Sequence, residues 1–291
     1  MHDILKSIYF ESIKLLESII SFLTVIFFSS FRCSKSIGRL KQNGLSDVHI
    51  LANGPSLKDI IDNHTEYLST HDTLVVNHFA NTPTFWIIRP KYYVLLDPAY
   101  FGGDCPIELQ DRIPVLMGNL SKVDWPMTLY VPYTKAAKAH AKERLNNPNI
   151  SIQFFNSTRI VGAKWFRNWA YKHNLGIASS KNVLLPSIQL MLNKGYKTVY
   201  LYGAEFSWTK TYSVNPENGK IYTDDVHFYD KTRIPLKKGG FKFDLSCLVD
   251  ALEATEIYAD YSEYVGASII NRTSGSFIDA FPYENPKYIK F

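Results

Sequence analysis

The sequence predicts an α/β chain on a mostly parallel, doubly wound sheet, with a lid and an N-terminal helical segment. Three observations carry that prediction. Compact apolar runs recur, each bounded by Asn, Asp, Gly or Pro: VHILA (48–52), DTLVVN (72–77), YYVLLD (92–97), IPVLMG (113–118), MTLYV (127–131), KTVYLYG (197–203) and ASIIN (267–271). Such runs are expected of strands covered on both faces. Helical patterns separate several of them, which makes the connections crossovers and the strands parallel. Residues 207–243 break the rhythm with aperiodic, aromatic-rich sequence and a basic end, and so long a stretch inside a domain is usually a lid or a binding loop.

Taken in chain order, the N-terminus comes first. Lys6, Glu11, Lys14 and Glu17 interrupt the apolar segment 4–31, and residues 18–31 carry no charge. Fourteen residues fall short of the roughly twenty that span a hydrocarbon core. A basic group, Arg32, Lys35, Arg39 and Lys41, follows the apolar stretch instead of preceding it, and no small-residue cleavage site is present, so a cleaved secretory signal is not expected. The segment is expected to lie in a membrane interface, burying Phe22, Phe27, Phe28 and Phe31 under basic residues that face anionic head groups. The alternative is a helix packed on the body or on a second subunit. Residues 1–43 are thus read as a membrane-associating helix with a basic linker, and 44–291 as the catalytic domain, with a lid over about 207–243.

In the body, the first strand ends at Asn53-Gly54-Pro55-Ser56 and a helix follows from Ser56. Residues 134–145, rich in Ala and Lys, and 183–194, stopped by Gly195, read as helices. A long helix is expected over 245–264, ahead of the last strand and a turn over 272–276.

Composition narrows the function classes. At 291 residues and 46% hydrophobic, the chain can bury a large core and is not disordered. Cys33, Cys105 and Cys247 are too scattered for a disulfide framework or a four-thiolate zinc site, which points to a reducing compartment. The net charge of +5 arises from well-mixed acids and bases, so nucleic-acid binding is not expected.

Chemistry should sit at the carboxyl ends of the strands. The residues there are Asn53 to Ser56, Asn77-His78, Asp97-Pro98, Gly203-Ala204-Glu205 and Asn271-Arg272. Gly54 between strand and helix lets a phosphate or ribose approach the backbone, and a helix N-terminus favours an anion. An Asx turn with a helix cap explains NGPS equally well, and Asn77 and Asp97 can equally be turn formers. Neither a Walker A loop nor a G-x-G-x-x-G turn is present. His227, in TDDVHFYD, is the candidate general base, since an imidazole can take a proton from a sugar hydroxyl. His78, at a strand end, is its rival. Asp224 and Asp225 offer oxygen ligands to a divalent cation, though a solvated acidic turn is the preferred reading. No Cys/His spacing suggests zinc, and no G-x-S-x-G elbow suggests a serine hydrolase.

The blocks ILANGPSLKDI, VVNHF, YYVLLDPAYF and NKGYKTVYLYGAEFSW, in that order, resemble the bacterial sialyltransferases of glycosyltransferase family 42. They are also similar to the wider NGPSL group, which includes motility accessory factors and an archaeal pterin pyrophosphokinase. The resemblance covers roughly residues 47–282, with the blocks as its strong points. It implies a Rossmann-like GT-A variant fold and inverting transfer from a CMP-activated nonulosonate donor, with no obligatory metal. By the same resemblance Asn53, Gly54, Pro55 and Ser56 hold the nucleotide phosphate and ribose, and Asn77 matches an asparagine after the second strand. Asp97 stands where the family has asparagine. Gly203 and Glu205 match its Gly-x-Asp segment, with Glu for Asp, and Ser179, Ser180 and Asn182 approximate a Thr-Ser pair beside the donor. The two phosphate-steadying tyrosines are represented by Ser207, with Trp208 next, and by the near match Tyr212. His227 lies farther from the following helix than the family's histidine does.

The expected protein is therefore a glycosyltransferase on the cytoplasmic face of a bacterial inner membrane, building a surface glycan on a glycan or glycolipid acceptor. His227 would deprotonate the acceptor. Tyr212 or Tyr229 and the basic lid residues Arg233, Lys237 and Lys238 would meet phosphate or acceptor charge. A homo-oligomer is compatible with this. The alternatives are a magnesium-dependent diphosphokinase-like enzyme using Asp224 and Asp225, and a non-catalytic membrane-bound scaffold.

Overall fold

In the computed structural model, residues 2–105, 107–236 and 239–289 are described. The chain opens with two helices, α1 (His2–Phe28) and α2 (Phe31–Arg39). The body runs β1 (Asp47–Leu51), α3 (Leu57–Thr70), β2 (Thr73–Val76), α4 (Thr84–Ile88), β3 (Tyr92–Val94), α5 (Ile107–Gln110), α6 (Arg112–Ser121) and β4 (Met127–Pro132). It continues with α7 (Lys135–Arg144), β5 (Ile150–Phe155), α8 (Lys164–Lys172), α9 (Leu184–Lys194) and β6 (Thr198–Tyr202). Three strands, β7 (Tyr212–Val214), β8 (Ile221–His227) and β9 (Asp230–Pro235), precede α10 (Gly240–Tyr264) and β10 (Ser268–Asn271).

The predicted α/β class holds. The large sheet has the order β10-β6-β1-β2-β3-β4-β5, and every neighbouring pair is parallel. The chain winds outward from β1 to β5, then returns to the other side of β1 with β6 and β10. The direction therefore reverses between β1 and β6, which is where an open α/β sheet opens a crevice.

Alternation along the strands divides the core into two layers. Val48, Ile50, Leu74 and Val76 pack with Phe166, Met191, Ala251 and Tyr258 from α8, α9 and α10. Leu51, Val75 and Tyr93 face the other way, against Ile60, Phe85, Leu116 and Ala141 from α3, α4, α6 and α7.

Two local expectations need correction, and two elements were not anticipated. Residues 113–118 lie in α6 and are not a strand. Ile113, Leu116 and Leu120 are buried at helical spacing while Val115 is exposed, and a short apolar run cannot distinguish the two periods. Strand β5 was hidden because it is an edge strand, half-exposed along much of its length. Helix α8 was hidden by its exposed tryptophans. The segment 207–243 is no irregular loop: β7, β8 and β9 form an antiparallel three-stranded sheet of their own.

At the N-terminus, α2 packs on β5, where Ser36 Oγ donates to Gln153 Oε1 at 3.0 Å. Helix α1 meets the body through a stripe of small polar residues. Ser18 Oγ accepts from Ala163 N at 2.9 Å and Ser21 Oγ accepts from Val161 N at 3.1 Å; Ser29, just after the helix, donates its Oγ to Leu175 O at 2.6 Å. Gly162 lets the chain pass this closely, since a Cβ there would stand 2.4 Å from Ser18 Oγ and 2.6 Å from Ser18 N. Among the described residues no single helix is long and apolar enough to cross a membrane, and the axes of α1 and α2 are bent by 92°.

One buried network makes stability depend on pH. His49 is fully buried on β1, with Nδ1 3.1 Å from Tyr202 Oη and Nε2 3.1 Å from Asp47 Oδ2. Burial lowers its pKa to about 4; Asp47 opposes the shift, while His71 and Arg272 add to it. The unfolded chain therefore binds a proton that the folded one refuses between pH 6.5 and about 4. Stability is fully present above the unfolded value and declines as pH falls through that window, by about 3 kcal/mol in all. Urea titrations of the wild type and of His49→Phe across this range test it: the wild type should lose stability with acid more steeply than the variant.

Candidate active site

The crevice is built by two strand exits that stay zipped beyond the sheet. Ala52 N donates to Tyr202 O and Gly54 N to Gly203 O, both at 2.9 Å. Asn53 is buried; its Nδ2 donates to Val76 O at 3.3 Å, and its Oδ1 has no partner among the described residues. A buried acceptor left unmet in a cleft wall suits a ligand donor.

Gly54 is required by the protein's own chemistry. A Cβ there would lie 1.5 Å from Glu205 Oε2 and 2.5 Å from Gly203 O. Glu205 Oε1 accepts the Ser56 amide at 2.7 Å, while the Ser56 side chain makes no capping bond to α3. Glu205 is therefore the negative group on the Ser56 amide at the start of α3, with Asp59 in the first turn, and it takes the place that the sequence reading gave to a phosphate. Its second oxygen lies toward the Gly54 wall of the cleft.

Backbone strain collects around the same crevice. Asn77 (φ 50°) and Phe206 (φ 53°) are two of the four non-glycine residues with positive φ among those described. The region is unfavourable for a side chain as bulky as Phe and persists only where surrounding structure enforces it. Tyr93 Oη donates to Asn77 O at 2.5 Å, and the 206 turn is held by Phe277 N on Glu205 O at 2.7 Å.

The lid closes over this floor with its β8–β9 tip. Phe228 N donates to Asn53 O at 3.0 Å, the Phe228 ring lies 5.4 Å from Phe79, and Asp230 pairs with Arg112 of α6. These three ties place His227, at the end of β8, in the cleft wall, with its ring stacked on Tyr229 at 5.2 Å.

The cleft has three neighbouring lobes that share lining residues. The first, about 230 Å³, is lined by Asn53, Gly54, Pro55, Asn77, Asn182, Gly203, Glu205, Trp208, Asp224 and His227. The second, about 630 Å³, shares Asn77 and Asn182 and adds Asp97, Thr134, Ser157, Ser180 and Lys181. The third, about 380 Å³, shares Trp208 and Asp224 with the first and Ser180 and Lys181 with the second, and is walled by Tyr212, Phe243 and Asp244.

Most of the sequence candidates therefore converge, but not all. Ser179 Oγ turns into the body to donate to Asp250. Asp97 is a turn former, accepting from Ala99 N at 2.9 Å at the edge of the second lobe. Tyr212 stands in the third lobe edge-on to Phe241, and burial, with Asp244 and Cys247, raises its pKa. Arg233 lines none of the three lobes; it donates to Ser213 Oγ at 2.9 Å on the lid sheet. His78 is buried with Nε2 3.3 Å from Tyr100 Oη and lines none of them either. Asp224 pairs with Lys231 at 3.0 Å. Lys237, Lys238 and the side chain of Asp225 lie outside the described residues, among which no cluster of three His, Cys, Asp or Glu could hold a metal. Sequence reasoning missed Lys181, Thr134 and Ser157. Lys181 sits inside the SSKN segment, but nothing local distinguishes it from a surface lysine.

No family model matches this chain, and no curated protein matches it. Nine chains of solved structure do. One of them, the MAf glycosyltransferase from Magnetospirillum magneticum AMB-1, is similar over 90% of this chain with a TM-score of 0.49 and 11% identity. The chain spans 39% of that protein's length.

Proposed function

We propose that this chain is an inverting glycosyltransferase that moves a nonulosonate-type sugar from a CMP-activated donor to a bacterial surface glycan or glycolipid, at the cytoplasmic face of a membrane. The observation that carries the reading is the convergence at the β1/β6 switch point. Polar residues from the exits of β1, β2 and β6 and from the start of α9 meet in one lobe, and the lid tip brings His227 into it. The resemblance of the NGPSL and GYKTVYLYGAEF blocks to family 42 supplies the chemistry.

In this reading the first lobe takes the nucleotide, with Glu205 and the orphaned Asn53 Oδ1 accepting from ribose and base donors. The anomeric carbon lies where the first lobe meets the second, at Asn77 and Asn182 and within the lobe that His227 lines, and the rest of the sugar extends into the second lobe beside Lys181. His227 accepts the proton of an acceptor hydroxyl as that oxygen bonds to the anomeric carbon; the bond to the phosphate oxygen breaks and CMP leaves with the electron pair. Metal is not required for that balance, and Asp224 is already paired with Lys231.

Thermal-shift titration with CMP, UDP, GDP and ATP tests the reading. CMP at about a hundred times its Kd should stabilise the fold by about 2.7 kcal/mol, and EDTA should leave that shift intact. Stabilisation by ATP only with magnesium would favour a diphosphokinase-like enzyme, and no response to any nucleotide would favour a scaffold.

A further inference from the structure

Helix α1 has its polarity inverted. Ser18, Ser21 and Val25 are buried against the body, and the serines spend their hydroxyls on loop 156–163 and its neighbours. Leu15, Leu16, Ile19, Ile20, Leu23, Ile26 and Phe27 point outward, each 47–76% exposed. A helix facing water shows the opposite arrangement, and so large an exposed apolar patch marks a contact with something apolar.

The patch does not end with α1. Trp165 and Trp169 stand four residues apart on α8, 69% and 42% exposed. They share with Leu15, Ile19 and Phe22 a groove of about 470 Å³ whose lining is almost wholly apolar. Exposed basic residues lie on α8 and on the helix that follows α1: Arg32, Lys35 and Arg39 on α2, and Lys172 at the end of α8, with Lys164 at its start paired to Asp260. Tryptophan favours the boundary between head groups and acyl chains, and exposed cations complement anionic head groups.

We infer that the outer side of α1 and the α8 tryptophans form one surface, which seats in the interface of an anionic bilayer. The inference rests on the membrane reading of the N-terminus and extends it to a second element, about 140 residues along the chain. A second copy of the chain fits less well. A helix–helix seam is a narrow stripe, whereas the outward residues here include adjacent pairs, Leu15–Leu16, Ile19–Ile20 and Ile26–Phe27, that spread around the helix. A bilayer covers that whole width. The right-angle bend after α1 and the charges at Lys6, Glu11, Lys14 and Glu17 suit a helix lying in the surface.

The loop that receives α1 also carries Ser157, which lines the second lobe. The same segment thus holds both the lipid-facing helix and a wall of the cleft. A lipid-linked acceptor would enter beside its own membrane.

The test uses the full chain, vesicles of phosphatidylcholine with and without phosphatidylglycerol, and phosphatidylcholine brominated near the head groups. Wild type should co-sediment with the anionic vesicles, and bromolipid should quench its fluorescence. Trp165→Phe/Trp169→Phe should bind but lose most of that quenching. Trp165→Ser/Trp169→Ser should partition about tenfold more weakly at an unchanged thermal midpoint. If wild type sediments but is unquenched, and the serine variant binds equally well, α1 inserts alone: the composite surface is wrong although the membrane reading stands. If wild type does not sediment at all, both fall. A lipid-free dimer that the serine substitutions dissociate would show the face to be an interface between copies, and would also overturn the inference.

Discussion

His227→Ala should slow sugar transfer by about 10²–10⁴-fold, the range that a positioned general base contributes, and leave CMP affinity within about twofold. The expectation comes from where the histidine is held. The backbone of the lid tip is pinned by Phe228 on Asn53, its ring by Phe79, and its far side by Asp230 on Arg112. None of these three ties uses the imidazole, which stacks on Tyr229 at one wall of the first lobe, so removing it should leave the lid seated over the Asn53 and Glu205 side of that lobe. Loss of turnover without loss of nucleotide binding, measured by single-turnover kinetics beside CMP titration, identifies a group that acts on the acceptor. His78→Ala provides the contrast. Its ring is buried against Tyr100, and its loss should appear first as a lower thermal midpoint. A His227→Ala enzyme at full rate would remove the base from the mechanism.

Gly54→Ala should weaken nucleotide binding more than any side-chain deletion in the same loop. The new methyl would overlap the Glu205 carboxylate at 1.5 Å and the Gly203 carbonyl oxygen at 2.5 Å. The carboxylate could swing away, but it would then release the Ser56 amide at the start of α3. The carbonyl belongs to the backbone pair that zips β1 to β6 and cannot yield without opening that pair. Overpacking of this kind costs about 1–3 kcal/mol, and here it falls on the cleft floor. CMP affinity should drop by more than about tenfold with the rest of the fold retained. Glu205→Gln separates the two roles of the carboxylate: it keeps the shape, weakens the cap on α3, and should reduce affinity by less than Gly54→Ala.

The sheet was largely legible in the sequence because its strands are buried on both faces and end at polar turns. VHILA, DTLVVN and KTVYLYG are each a strand in place, and the polar residues after them do form one crevice. Where local pattern and tertiary context part company, the sequence misled. IPVLMG has the composition of a strand, but only every third or fourth residue is buried. The lid sheet pairs short, polar, half-exposed strands whose alternation carries almost no hydrophobic signal. In the site, Asn53, Gly54, Asn77 and Glu205 could be picked out because turn chemistry and strand ends mark them, and His227 because an imidazole among acids in the lid suits a base. The inward turn of Ser179 and the presence of Lys181 in the cleft depend on how α9 meets the lid and α10. Glu205 was placed in the cleft, but its grip on the Ser56 amide joins residues 149 positions apart, and no local pattern reports that. Trp165 and Trp169 escaped notice because an exposed aromatic pair acquires meaning only once α1 lies beside it.

The central claim is transfer from a CMP-activated sugar, and the release of CMP measures it most directly. Phosphorus NMR can follow the donor phosphodiester in the presence of protein and membrane glycolipid acceptor. The donor signal should convert to CMP at a rate that rises with acceptor, persists in EDTA and collapses in His227→Ala. A donor that stays intact with every acceptor, while magnesium-ATP is consumed by the same protein, would contradict the assignment.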